Sequence, residues 1–389
     1  MGRIFNHENV KSDYLEPFTR LCAIGRYITT IFRNKSRCPD YCGETFLTDF
    51  ADAPIVKLAK EYDLIIFDHP HIGAITNANA LLPLEKYLPQ NFLNDQRNNQ
   101  VGNSHNSYFF QSHQWGLAID AAAPVASWRE DEFLRLGLKI PTTWEELLVL
   151  AQLGYVALPG IPVDCLMSFY SLCIDQSEDL FTRSAALVNE ETGIFALDRL
   201  KELIGNCNPK FLDFNPIQVY ETLARDSEKE IYCPFAYGYT NYSRLGYCDN
   251  RLTFGNVIKG PSGNPIRTII GGAGIGISTY CQEIDIALGY IRFVMDPDCQ
   301  RTLYFDNGGQ PGNRIAWLDS RTNQNCENFF LNTLKTLDGS YRRPRYNGYI
   351  DFQNKGSLKL HEYLKIRISG KDCMLELNKI YKESVLEKA

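Results

Sequence analysis

Residues 115–151 read WGLAIDAAAPVASWREDEFLRLGLKIPTTWEELLVLA, and the fold is decided by how this stretch is read. Trp115 to Val125 is rich in strand-forming residues. Arg129 to Leu136 is a short amphipathic helix, and Gly137 is placed to close it in a left-handed conformation. Pro141-Thr142-Thr143-Trp144-Glu145-Glu146 then opens another helix. Either threonine can cap it, and the two acids lie in the first turn, where the helix dipole favours them. Strand, helix and helix start follow one another within 37 residues, the mark of α/β architecture.

The same alternation runs upstream. Ala53 to Lys60 reads as a helix with Pro54 near its start, where a missing N–H costs nothing. Asp63 to Phe67 (DLIIF) is a continuous apolar run, the pattern of a strand buried on both faces in a parallel sheet. Residues 2–6 suit an opening strand and 12–27 a helix. Downstream, helical patterns cover 163–174, 194–205 and 284–295, the last ending at Asp296-Pro297. A strand is expected at 231–237, a turn cluster at 261–265 and two short strands around the glycines of 268–278. The tail from 326 reads as mainly helical.

Composition narrows the function. The 389 residues allow two domains, and 44% hydrophobic with 22% charged residues is ordinary for a globular chain. Net charge is −6 and the pI about 5.6, which argues against nucleic acid as a partner. No apolar run is long enough to span a bilayer. The start, MGRIFNHENVKSDYLEPF, lacks a secretory leader pattern, so either a leader precedes the given sequence or the protein stays in the cytosol. The 12 cysteines stand mostly alone, as reduced thiols do. Cys38 and Cys42 are one close pair, but no second pair or histidines follow to complete a zinc site; whether they bridge is open.

Few motifs carry chemistry. Gly271–Gly276 (GGAGIG) lacks the spacing of a dinucleotide fingerprint and leads into a strand, so no helix N-terminus meets a phosphate. Nothing singles out a nucleophile or an acid–base pair, so no catalytic residue and no cofactor are expected. Asp68-His69-Pro70-His71 follows a buried strand, where α/β sheets bind ligands. Its side chains are possible metal ligands. However, Pro70 turns the chain between the histidines, so a mononuclear site using both is strained. Solute hydrogen bonding and a plain strand-end turn stay open beside the metal reading. Aromatics form 12% of the chain and gather near expected strand ends, at Trp115, Trp128, Tyr237, Tyr239, Tyr242, Tyr346 and Tyr349. Such rings suit a cleft for a polar organic solute.

The order YDLIIFDHPHIGAITNANALLPL (62–84), then 115–151, then IIGGAGIGIS (269–278), then ALGYIRFVMDPDCQRTLYFDNGGQPGNR (287–314) resembles the extracellular solute-binding proteins of carbohydrate ABC transporters, the group of maltose-binding protein. The resemblance covers roughly residues 2–360. It implies an α/β, two-lobed, type II periplasmic-binding-protein-like fold with hinge-crossing strands. Lobe one would hold 1–117 and 262–315, and lobe two 118–261 and 316–389. It implies a non-enzymatic monomer that closes on a small polar solute, uncharged or weakly charged and by default a sugar, and docks on membrane permease subunits. By motif position it nominates Asn6, His7, Asp68, His69, His71, Asp120, Trp128, Tyr237, Tyr239, Gly272, Ala273, Gly274, Arg314 and Tyr346 as ligand-binding residues, with no metal. A periplasmic location is what the resemblance implies; the lack of a leader pattern and the many cysteines leave a cytoplasmic one open. The alternatives are a cytosolic sensor or enzyme on the same fold, and a metal-dependent hydrolase using Asp68-His69-Pro70-His71.

Overall fold

The structure, a computed structural model, describes residues 55–176, 180–182, 186–365 and 369–386. The expected elements at 2–6 and 12–27, the candidates Asn6 and His7, and the pair Cys38 and Cys42 lie outside the described residues. The chain divides into two units. Unit 1 takes the described residues up to Ala121 and then Gly271–Thr322; unit 2 takes Ala122–Ile270 and the chain from Asn323 onward. The backbone therefore passes between units three times, after Ala121, Ile270 and Thr322. The boundaries expected from sequence lie several residues earlier in each case.

The described strands are β1 (Leu64–Phe67), β2 (Phe109–Phe110), β3 (His113–Gln114), β4 (Leu117–Ala118), β5 (Pro124–Trp128), β6 (Tyr232–Tyr237), β7 (Thr253–Gly255) and β8 (Gly274–Ile277). In unit 1 they form the sheet β1-β8-β4 and the hairpin β2-β3. Ile65 and Phe67 of β1 face a cluster containing Ile72, Ile75, Tyr108 and Trp115. Leu64 and Ile66 point the other way, against Leu84, Ile291 and Val294. Both faces are covered, which is why every position of the run is apolar.

The direction of pairing corrects the parallel reading. β1 runs antiparallel to β8, with Leu64 opposite Ile277 and Phe67 opposite Gly274. The partner strand arrives from the far end of unit 1's sequence after the chain has built most of unit 2, so no βαβ crossover dictates its direction. A second correction concerns the glycine segment. β8 is a strand, but Ile269 makes only an isolated bridge to Tyr341. A third concerns Asp296-Pro297. The helix Ile284–Val294 ends there as expected, yet Asp296 at once caps a new turn by accepting from the N–H groups of Asp298 (2.8 Å) and Cys299 (3.3 Å). Helical chain continues through Tyr304.

In unit 2 the sheet order is β6-β5-β7, antiparallel throughout, with a bulge between Val125 and Ser127. The helix Glu130–Leu136 ends at Gly137 with φ +64°, the left-handed cap read from sequence. Thr143 caps Trp144–Gln152 in a reciprocal box with Glu146. Helices Pro162–Asp175, Glu190–Gly205, Tyr349–Lys365 and Gly370–Leu386 pack into one core with the β6 residues Tyr232 and Phe235. Eleven consecutive residues of the first of these, Asp164–Ile174, are buried, so it is a core helix and not an amphipathic one. Gly193 makes room for Met374, which would lie 2.5 Å from any Cβ there. Cys165, Cys207, Cys233, Cys281, Cys299 and Cys373 are unbridged thiols, all but Cys207 buried, in keeping with the reading of solitary cysteines.

Candidate functional site

One end of the unit 1 sheet collects most of the nominated residues. β1 and β4 both end there and β8 begins there, since Gly274 lies opposite Phe67 on one side and Ala118 on the other. Asp68 follows β1, Asp120 follows β4, and Gly272 and Ala273 precede β8. The Ala273 carbonyl accepts from the N–H of Ile119 (3.0 Å) and of Asp120 (3.2 Å), which fixes the chain beyond β4. Ligands of open α/β sheets lie beyond the carboxyl ends of strands, and β1 and β4 meet that rule here.

Local packing explains why these residues have no freedom to be otherwise. Gly272 has φ +99°, and a Cβ on it would stand 2.5 Å from the Asp120 carbonyl oxygen. Gly274 lies flat against the Tyr108 ring, which a Cβ would strike. The Tyr108 hydroxyl donates to the carbonyls of Phe67 and Gly272, each at 3.4 Å, joining the end of β1 to the start of the glycine turn. Tyr108 was not among the residues nominated from sequence. Its signal, one tyrosine in the apolar-poor stretch 102–108, is too weak to find.

Asp68-His69-Pro70-His71 differs from the turn read from sequence. His69–His71 is one 3-10 turn that runs directly into the helix Ile72–Asn77, so Pro70 starts a helix. His69 is buried, its Nδ1 3.1 Å from Asp68 Oδ1, with its ring edge-on to Tyr108 at 6.2 Å. Asp68 and His71 are half-buried. No described group of three or more His, Cys, Asp or Glu side chains is arranged to hold a metal ion.

The Gln310-Pro311 signature reaches the same end of the sheet. Gln310 Nε2 donates to the Ala121 carbonyl at 3.0 Å, and a Cβ on Gly312 would strike the Ala118 carbonyl. Arg314 turns elsewhere: its N–H meets the Asn99 carbonyl at 2.6 Å and its Nε the Gln100 carbonyl at 2.9 Å. It ties the 99–100 loop to unit 1.

In unit 2 the nominated residues separate. Gly238 donates to the Ala123 carbonyl at 3.2 Å, two residues past the first passage between units. Tyr237 and Tyr239 flank it; the Tyr237 carbonyl accepts from the Tyr220 hydroxyl at 2.8 Å, and the Tyr239 ring meets the Tyr220 ring at 6.1 Å. Trp128 stands at the other end of the same strand pair, opposite Tyr232, while Tyr237 is opposite Pro124. At ~3.3 Å per residue this separates them by roughly 13 Å. The Trp128 indole N–H donates to Glu130 Oε2 at 2.5 Å, and its ring covers Gly255. Tyr346 packs on the C-terminal helices, its hydroxyl 2.8 Å from Ser384 Oγ and its ring 6.3 Å from Tyr381.

A recess of about 250 Å³ in unit 2 contains none of the nominated residues. Arg129, Arg135 and Lys229 line it beside Glu132, Asp226 and Glu228. Two of its arginines are paired: Arg129, buried, lies 2.7 Å from Asp131 and 2.9 Å from Asp226, and Arg135 lies 2.5 Å from Glu132. Hydrogen bonding to Arg129 holds the Asp131 carboxyl below its ordinary range.

Comparison with known proteins places this geometry. No protein-family model matches the chain, and no curated protein does. Solved structures match at length. Maltose-bound MalE3 of T. maritima is 15% identical, with 95% of this chain and 97% of that one covered and a TM-score of 0.76. An ABC transporter solute-binding protein from Agrobacterium radiobacter in complex with ribitol is 16% identical over 94% and 96%, TM-score 0.77. UgpB from Mycobacterium tuberculosis in complex with glycerophosphocholine is 15% identical over 95% of each chain, TM-score 0.74. At such identities the likeness is one of fold, and it shows that this chain folds as a type II periplasmic binding protein.

Proposed function

We propose that the protein is the solute-binding component of an ABC transporter. It binds one small polar solute and releases it to membrane permease subunits. The carrying observation is the gathering of Asp68, Asp120 and the glycine turn 272–274 at one end of the unit 1 sheet. Asp120 lies one residue before the first passage between units, and Gly272 one residue after the second. Half-buried carboxylates at such a position suit hydroxyl-rich solutes.

The mechanism needs no bond to break, so the protein is a binder and not an enzyme. Closure is favoured only by solute contacts that the closed state makes and the open state lacks. Tyr237, opposite Pro124, and Tyr239, next to the Gly238 N–H that meets the Ala123 carbonyl, are the unit 2 residues assigned to supply them. The fold neighbours hold maltose, ribitol and glycerophosphocholine, which sets the size and polarity expected of the solute. Among the described residues no helix is long and apolar enough to cross a membrane.

A thermal-shift screen of sugars, polyols and their derivatives tests this reading, because a ligand bound only by the folded state raises the melting temperature. A single solute class should stabilise the protein, and Asp68→Ala and Asp120→Ala should each reduce the shift while the unliganded protein melts as before. Stabilisation by nucleotides alone, or an undiminished shift in both variants, contradicts it.

A further inference from the structure

The helix Pro216–Leu223 opens with a capping box in which Asn215 and Gln218 each accept from the other's backbone N–H at 2.9 Å. Its buried residues include Pro216, Val219, Tyr220 and Leu223, the spacing of one helical face. Tyr220 is fully buried. Its hydroxyl donates to the Tyr237 carbonyl at 2.8 Å. Its ring meets the Tyr239 ring at 6.1 Å and the Tyr242 ring at 5.1 Å. Tyr239 and Tyr242 are joined in turn, the Tyr239 carbonyl accepting from the Tyr242 N–H at 3.2 Å.

Between Tyr237 and Tyr239 there is no room for a side chain. A Cβ on Gly238 would stand 2.9 Å from the Phe329 ring and 3.0 Å from Val125 Cγ2. Segment 237–239 is thus packed at its centre by Val125 and Phe329 and tied at both ends by Tyr220. Burial pushes the Tyr220 hydroxyl well above its ordinary pKa, so it stays a donor across the neutral range.

Unit 1 uses the same device. Tyr108, also buried, donates to the carbonyl of Phe67, the last residue of β1 as Tyr237 is the last of β6. In each unit a candidate solute residue follows the tied carbonyl: Asp68 after Phe67, and Tyr239 two residues after Tyr237. The unit 2 bond is the shorter, 2.8 Å against 3.4 Å. Contacts already held in place bind more tightly, because less ordering remains to oppose binding.

We propose that Tyr220 is the positioning residue for the unit 2 solute contacts, holding Tyr237 through its carbonyl and Tyr239 through its ring. The inference rests on the solute-binding reading above, in which those two tyrosines meet the solute.

Calorimetric titration of the full chain with a panel of sugars, polyols and phosphodiesters headed by maltose, ribitol and glycerophosphocholine tests it, the tightest member being carried to the variants. Tyr220→Phe keeps the ring and removes the bond to Tyr237. It should weaken binding about fivefold or more and lower the melting temperature by only about 2–4 °C. Thr143→Ala, which removes a helix cap elsewhere in unit 2, should lower the melting temperature by a similar amount and leave affinity unchanged. In a Tyr237→Ala/Tyr239→Ala background, Tyr220→Phe should change affinity by less than about twofold, since the groups it positions are gone. Full affinity in Tyr220→Phe, or the same fold-loss with and without the two tyrosines, overturns the inference; weakening by Asp120→Ala in the same titrations leaves the solute-binding reading standing. Binding of no member of the panel overturns both.

Discussion

Gly272 and Asp120 touch through backbone alone: the glycine, at φ +99°, presents its bare Cα to the aspartate carbonyl oxygen. The contact holds the glycine turn against the chain leaving β4, and so fixes where the Asp120 side chain begins. Gly272→Ala combines a strained backbone with a steric clash and should lose about 2–3 kcal/mol in denaturant unfolding. Gly289→Ala is the control, since it lies within the helix Ile284–Val294 with nothing within 4 Å of a new Cβ. That change should be neutral or stabilise by about 0.5–1 kcal/mol. Equal effects at the two sites would remove the special role of the Gly272–Asp120 contact.

Tyr108 offers a subtler probe. Tyr108→Phe keeps the ring against Phe67, at 5.3 Å between centroids, and removes the two long hydroxyl bonds to Phe67 and Gly272. Stability should fall by no more than about 1 kcal/mol. Solute affinity should fall several-fold, because the turn that carries the binding residues loses its tie to β1. Unchanged affinity would mean that the glycine turn needs no such tie.

Thr143→Ala should cost about 1 kcal/mol by removing a cap whose hydroxyl accepts from the Glu146 N–H at 3.3 Å. Thr142→Ala should cost less, since Thr142 gives only an exposed hydroxyl to the same carboxylate, at 3.0 Å. The reverse order would mean that the cap is misassigned.

These caps show what the sequence could disclose. Gly137 and Thr143 act through neighbours three or four residues away, and local patterns are what a sequence displays. β1 was legible as a buried strand, but its direction was not, because β8 joins it from far along the chain. Pro70 was ambiguous for the opposite reason: a proline after a strand starts either a turn or a helix, and the apolar residues from Ile72 decided for a helix. Asp68 and Asp120 converge because each follows a strand end, which the apolar runs mark. Trp128 does not join Tyr237, because which end of a strand faces a site depends on register, invisible before β5 and β6 are paired. Asp164 left a clear trace that went unread, being the one acid among the apolar residues of 163–174.

That aspartate gives a pH prediction. Burial raises the Asp164 carboxyl from its ordinary 3.8 to about 7. The folded chain therefore binds a proton there that the unfolded chain releases, across the window from about 4 to 7. Its contribution to stability is greatest below about pH 4, falls as pH rises, and is fully lost above about 7. The loss corresponds to roughly 4 kcal/mol. Asp164→Asn should melt higher than the parent at pH 8 and flatten the decline between pH 4 and 7. A parallel pH profile in the two proteins would place the titration elsewhere.

The function proposed for the protein is the binding of a small polar solute. Isothermal titration of the purified chain with the sugar or polyol derivative that most raises its melting temperature tests this most directly. Binding should be saturable and one-to-one, and Asp68→Ala and Asp120→Ala should each weaken it at least about tenfold, or about 1.4 kcal/mol, without unfolding the protein. Full affinity in both variants, or no saturable binding of any such solute, would contradict it.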